Sequence, residues 1–499
     1  MLLFSGTSTQ GSSDAQLQSY FTYEKTNNSF KCTVCSGEIL GNNPSNLEKH
    51  LKAAHNILLT SDSLSISKES LAGALTDMVL VSGRPLSMLN DPWLRKIIDP
   101  IASKLNISIT PTLIQQKIAD CCCQVEQILI KELTTSLVCL KLEIATEFGQ
   151  MFLAIHAQYI YEGKKMVRTL TIRKLVPSWN RNHIVDILAN TLERFNIKTV
   201  FYIMINMCKK TPDFLNKSSS SKLSYDNIEE EATAEDKFFK IVLDACAMMG
   251  MTAFCSPTYT IQLAVYQAMG ENQGSIDKIR NLYLSSQDKD SSQSTPKPNE
   301  GLLNEQIHKA LEPIFTKSSK NNQYFGDVYD TWITVQKTIS QFGIPFAEIL
   351  SVSLKKSITE ILEHPVFLTL LYIDPRYKDL LNDEQKSLVI EEFKKLWKNL
   401  SSLKENEVCS DESEIVEKLK IFAAAPKMSQ DTDLLEYWES EKQQLSDLNK
   451  LAKILLSVPI LQDTMERLSS NFDMLMSTET SNVIQDIVKV RCFNKFNSI

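Results

Sequence analysis

The chain has 499 residues, 43% hydrophobic and 23% charged, which fits roughly two to four globular domains and excludes a small disulfide scaffold. No apolar run of about 18 residues occurs and Met1 to Ser5 lacks a signal-peptide pattern, so membrane and secretory readings are set aside and the 11 cysteines are expected as reduced thiols or metal ligands. With 53 basic and 60 acidic side chains the net charge is −7, so any nucleic-acid contact is expected to be local.

Residues 1–15 are rich in Ser, Thr and Gly and are expected to be disordered. The strongest chemical pattern follows within 16–58. Cys32-x2-Cys35 is followed, after 14 residues, by His50-x4-His55. A Cys-x2-Cys turn sets two thiolates on one side of an ion and a helix supplies two imidazoles on the other, which is the tetrahedral N/S set that zinc takes. Asn42 to Asn46 supply a turn and an N-cap, predicting a short helix over Leu47–His55. Because the histidine spacing is one residue wider than the i,i+4 step, that helix is expected to tighten or unwind near Ala53 and Ala54.

Residues 59–80 read as a linker running into a helix, and 81–135 as a helical segment with one helix over Pro111–Leu133. Cys121, Cys122 and Cys123 on that helix point about 100° apart and cannot share one ion. From Ser136 the period becomes that of strands: Ser136–Ile144, Met151–Tyr159 and Met166–Ile172 form a predicted meander. A helix over Arg181–Phe195, a strand Lys198–Ile205, a helix Lys237–Met249, a strand Met251–Phe254 and a helix Tyr259–Met269 follow. The order β-β-β-α-β-α-β-α predicts a mixed sheet with flanking helices, so the fold class is α+β and multidomain. Residues 216–236 and 286–300 are polar and read as disordered loops. Beyond 301 the pattern is helical, punctuated by prolines. His156, His183, His308 and His364 have no neighbouring ligand pattern and receive no metal role.

Residues 16–58 resemble a BED-type zinc finger, through Tyr20-Phe21, through Phe30-Lys31-Cys32 up to Cys35, and through Ser45 to Leu51 followed by His55. Where the family usually carries a Trp, Ser19-Tyr20 stands here. The resemblance implies one structural Zn²⁺ on Cys32, Cys35, His50 and His55, and a DNA-binding module of the kind found in chromatin proteins and transposases. Lys31, Ser45, Asn46, Lys49 and Lys52 are the residues expected at double-stranded DNA. Four lysines against three glutamates between Leu17 and Leu58 make one finger a weak binder, so dimerisation is expected to add avidity. A finger that binds protein is the competing reading.

The rest of the chain resembles hAT-superfamily transposases. The likeness rests on Leu140 to Thr146, Phe152 to Tyr159, Arg168 to Leu170, Tyr259 to Val265, Ile373-Asp374-Pro375-Arg376-Tyr377-Lys378, Asp433 to Trp438, Leu451 to Pro459 and Glu466 to Ser469. It implies an RNase H-like body over 136–285, a helical insertion remnant over 301–430 and a C-terminal dimerisation region over 431–499. Such enzymes hold two divalent ions with three carboxylates. Here Glu143 replaces the first Asp, Asn206 stands where the second acid belongs, and Glu466 keeps the third place. The extra methylene of Glu143 moves its carboxylate by about 1.5 Å, beyond the ~0.5 Å precision that a catalytic constellation needs. Asp213 or Asp244 would be the second acid only in an altered alignment, and Tyr259 replaces a family His. The expected protein is therefore not an enzyme but a domesticated transposase. It is read as a nuclear, zinc-dependent DNA-binding regulator of transcription or chromatin, with chromatin or transcription cofactors as further partners. Leu434, Trp438, Leu445, Leu448, Leu451, Leu455 and Val458 repeat at helical spacing, which fits a core of the chain as well as a contact between copies, and the resemblance favours a homodimer through 431–499. The alternatives are an active hAT-type DNA transposase and a protein-binding chromatin adaptor.

Overall fold

The computed structural model describes residues 19–24, 27, 29–40, 44–55, 57, 66–147, 150–176, 178–208, 234–270, 306–307, 309–314, 324–402, 412–460, 487 and 490. The expected disordered lead at 1–15, the loop at 286–300, Glu466 and all but 234–236 of the 216–236 loop lie outside the described residues. By contacts the chain divides into two compact units, 1–74 with 99–108, and the remainder.

In the first unit, β1 (Phe21–Glu24), β2 (Ser29–Cys32) and β3 (Glu38–Leu40) form an antiparallel sheet in that order, with Phe21 opposite Cys32 and Phe30 opposite Ile39. The helix α1 (Pro44–His55) lays Leu47 and Leu51, one i,i+4 step apart, on Phe21 and Cys32. Four buried side chains are a very small core. The helix stays regular through His55, contrary to the expected unwinding at Ala53 and Ala54. Two alanines are the strongest helix formers available, and the reach of the imidazoles closes the gap without a backbone change. The helix α2 (Lys68–Leu80) occupies the second half of the expected 59–80 linker, and α3 (Pro92–Lys104) begins on Asp91, whose Oδ1 accepts from Trp93 N at 2.8 Å and Leu94 N at 3.2 Å.

The second unit centres on a five-stranded sheet. After α4 (Pro111–Thr134), capped by Thr110 Oγ1 on Leu113 N, come β4 (Val138–Glu147), β5 (Gln150–Tyr161) and β6 (Lys164–Lys174), an antiparallel meander. Glu162 and Gly163, both at positive φ (49° and 73°), make the two-residue turn between β5 and β6, the geometry that matches strand twist. Then follow α5 (Arg181–Arg194), β7 (Val200–Cys208), α6 (Ala234–Met248), β8 (Ala253–Cys255) and α7 (Pro257–Gly270). The sheet order is β6-β5-β4-β7-β8, with β4, β7 and β8 parallel. The β-β-β-α-β-α-β-α succession is as expected, while each strand ends one to three residues past its predicted end and β4, β7 and β8 begin two residues later than predicted. Ladder hydrogen bonds continue through polar flanks that carry no hydrophobic signal. Being central, β4 is covered on both faces. Val138, Leu140, Leu142 and Ile144 lie on one, and Cys139, Lys141 and Glu143 on the other.

The helices α8 (Phe325–Ser340), α9 (Pro345–Glu363), α10 (Pro365–Tyr372), α11 (Asp383–Ser401), α12 (Glu412–Ala424), α13 (Leu434–Ser440) and α14 (Ser446–Leu456) build the larger core of this unit. Phe325, Trp332, Phe367, Phe393, Phe422 and Trp438 anchor it. A Cβ on Gly326 would lie 2.6 Å from Asp374 Oδ2 and closer still to the Tyr377 ring, so α8 can approach the Asp374–Lys378 segment only because that position has no side chain. Gly326→Ala is expected to destabilise this unit by about 1–3 kcal/mol through overpacking. Thermal unfolding of the full chain reads it, and an unchanged melting temperature would remove the close-approach argument.

Candidate metal centre and a buried acid in the sheet

The Cys32–Gly37 turn forms on the end of β2. Cys32 N donates to Gly37 O at 2.9 Å and Ser36 N to Cys32 O at 2.9 Å, with Ser36 in the left-handed region at φ 57°. Gly37 N points at Cys35 Sγ at 3.4 Å. Across from this turn, α1 delivers its two imidazoles. Cys35 Sγ and His50 Nε2 are 3.3 Å apart, Cys32 Sγ and His55 Nε2 3.5 Å, and all four ligand atoms lie within 4.8 Å of one another. A zinc tetrahedron with Zn–S of about 2.3 Å and Zn–N of about 2.0 Å has edges of roughly 3.3–3.8 Å, so this donor set and spacing are compatible with one zinc ion. The ring of Phe21 meets His50 edge-on at 6.0 Å and Cys32 is buried, so the sheet, the helix and Cys32 share one small core while Cys35 is exposed.

The residues expected at DNA are distributed over two elements. Asn46, Lys49 and Lys52 are exposed on α1, Ser45 belongs to the first turn of the same helix, and Lys31 is exposed on β2. Lys31 stands opposite Glu38 in the ladder. Hydrogen bonds from Ser29 and Asn27, with a smaller contribution from the Lys31 charge, hold the Glu38 carboxyl below its ordinary range.

In the sheet of the other unit, Glu143 and Asn206 are register partners on the parallel strands β4 and β7, and both are fully buried. Lys141, two residues earlier on the same face, places its Nζ 2.6 Å from Glu143 Oε1. His156 sits opposite Lys141 on β5, with its Nε2 3.1 Å from Glu143 Oε2 and its Nδ1 3.0 Å from Thr169 Oγ1 on β6. Burial alone would push the Glu143 carboxyl up. The Lys141 ammonium and the His156 hydrogen bond more than reverse this and hold it at about 2. The carboxylate is thus charged at neutral pH and already neutralised from within the protein. Sequence order hid this arrangement, because His156 is 13 residues away along the chain yet adjacent across the ladder. Its only signal was the polar 141, 143 alternation inside an otherwise apolar strand. Asp244, the alternative second acid, is exposed on α6, and Asp213 lies outside the described residues.

Of the two readings that the spacing of the C-terminal stripe left open, the structure favours the core for its seven residues. Leu434, Trp438, Leu445, Leu448, Leu451, Leu455 and Val458 are each no more than 2% exposed and belong to the core of their own chain. Helical spacing marks an apolar stripe but not which partner covers it. Among the described residues no helix is long and apolar enough to cross a membrane.

Residues 411–494 match the model of the hAT family C-terminal dimerisation region. The matched segment begins at α12, upstream of the expected 431; it indicates a hAT transposase-related protein and supports homo-oligomerisation. No curated protein matches the chain.

Proposed function

We propose that this chain is a domesticated hAT transposase that works as a nuclear, zinc-dependent, DNA-binding regulator of transcription or chromatin, with an RNase H-like body kept as a catalytically inactive scaffold. The observation that carries the reading is the Cys32, Cys35, His50 and His55 cluster on a sheet-and-helix unit, with the exposed Asn46, Lys49 and Lys52 on the same helix as both histidines. Bound zinc would supply no chemistry to a substrate. It would lock α1 against the Cys32–Gly37 turn and so present one face of the helix to a major groove. Self-association through the 411–494 region supplies a second finger, and two weak sites on one DNA gain effective concentration.

Loss of cutting is supported by the Glu143 environment. An ammonium already occupies the space beside its carboxylate, and Asn206 beside it offers a neutral amide without the negative charge that a carboxylate brings to a divalent ion. No strand nicking above background is therefore expected with Mg²⁺ or Mn²⁺ on DNA. Nicking that disappears on Glu143→Ala would replace this reading by that of an active transposase. Selection of bound DNA oligomers by the full-length chain, with Cys32→Ser/Cys35→Ser alongside, tests DNA recognition. A motif enriched by the native chain and lost in the double variant is expected, whereas enrichment of no motif by the native chain would favour an adaptor that binds protein.

A further inference from the structure

The segment Ile373–Lys378 lies upstream of the matched 411–494 region, yet several of its polar groups bond to that region. Lys378 is 2% exposed, and its Nζ donates to Phe422 O at 2.7 Å, to Ala423 O at 3.2 Å and to Ala425 O. These carbonyls lie in the last turn of α12 and just past its end, so a buried ammonium adds to the C-terminal capping and answers the negative end of the helix dipole. Arg376 grips Asp374 through Nε (2.9 Å) and Nη2 (2.7 Å), reaches Asp327 on α8 with Nη1 at 2.7 Å, and also donates to Gln430 O at 3.2 Å. Tyr377 Oη donates to Gln430 Oε1 at 2.7 Å, Met428 N to Pro375 O at 3.1 Å, and Trp438 Nε1 to Ile373 O at 3.3 Å.

Beside the burial of Ile415, Leu419, Phe422, Leu434 and Trp438 in the core, these bonds fix elements whose local propensity for order is small. The helices α12 and α13 have 13 and 7 residues, lengths at which an isolated helix is marginal, and the 425–433 connection between them carries no helix or strand. From the same network the Asp327 and Gly326 contacts run back to α8, so the segment is fixed on both sides.

We infer that Ile373–Lys378 is a latch that sets the position of α12, the 425–433 connection and α13, and that its polar bonds thereby determine how tightly two copies of the chain associate. This rests on the reading that the 411–494 region dimerises. Arg376, Tyr377 and Lys378 are positioning residues: each acts on the dimer through the segment it holds.

The test measures the dimer dissociation constant of the full zinc-loaded chain by sedimentation equilibrium, with thermal melting in parallel. Lys378→Met keeps the stem and removes the cap, and is expected to raise the constant by about tenfold or more, whereas Tyr377→Phe, which loses one hydroxyl and little packing, raises it roughly threefold. Leu188→Ala on α5, a buried position outside the latch, is the stability control. It is expected to lower the melting temperature and leave the dimer constant within about twofold. An unchanged constant in Tyr377→Phe, or an equal rise in Leu188→Ala, overturns the latch, and Tyr377→Phe decides the matter should Lys378→Met fail to fold. A native chain that stays monomeric at every concentration removes the dimer reading itself, and the inference with it, before any variant is compared.

Discussion

Lys141→Met is expected to cost the fold about 3–5 kcal/mol, because it strands a fully buried carboxylate, Glu143, without the ammonium that lies 2.6 Å away. The measurement is denaturant unfolding of the full chain against the same experiment on Lys141→Met/Glu143→Leu. Removing both charges replaces an ion pair by apolar groups but takes from the buried His156 Nε2 its Glu143 partner, so the double variant should recover part of the loss and lie within about 1–3 kcal/mol of the native chain. A single variant no less stable than the double one would show that the pair is not the one holding the acid. The same group gives a pH signature. Because its folded pKa is depressed, Glu143 contributes stability that is fully present above the ordinary value of 4.5 and is lost as pH falls towards about 2. Glu143→Gln has no such group, so the native chain should lose its advantage over this variant across that window. A native-minus-variant difference that stays flat through it would contradict the assignment.

Removal of the metal is the other large effect. The sheet and helix that carry Cys32, Cys35, His50 and His55 have only Phe21, Cys32, Leu47 and Leu51 as a buried apolar cluster. So small a core cannot offset the entropy of ordering its chain, and apparent zinc affinities of ~10–16 kcal/mol are then folding energy for such a unit. Chelation, or Cys32→Ser/Cys35→Ser, should therefore expose residues 19–57 to protease and abolish one equivalent of bound zinc by native mass. The unfolding transition of the sheet-containing unit should stay where it was. Protease resistance that survives zinc loss would mean that the metal is not structural.

Much of this was legible in the sequence, and the parts that were not share a cause. The Cys-x2-Cys and His-x4-His spacing brought the correct four side chains together, because ligand spacing is a local property. The strand and helix order of the sheet was also readable, since hydrophobic period changes sharply at Ser136 and again at Arg181. What failed were statements about which surface an apolar stripe meets and which distant residue a buried polar group finds. Leu448 and Trp438 have the same spacing whether a second copy or their own chain covers them. His156 looked solitary because a hydrogen-bonded ladder, not sequence distance, makes it a neighbour of Glu143. The Asp374–Lys378 segment was recognised as a likeness, but its targets, Phe422 O through Gln430, lie about fifty residues downstream and are backbone atoms, which no side-chain pattern announces.

The interior location of Leu434, Trp438, Leu448, Leu451 and Leu455 bears on how the C-terminal region can be handled in isolation. Excised as a fragment starting at 411, it would arrive in water with these side chains bare, with the Trp438 indole deprived of Ile373 O and with three carbonyls at the end of α12 deprived of Lys378. Such a fragment should precipitate or clump without stoichiometry, and a pull-down performed with it would report stickiness rather than pairing.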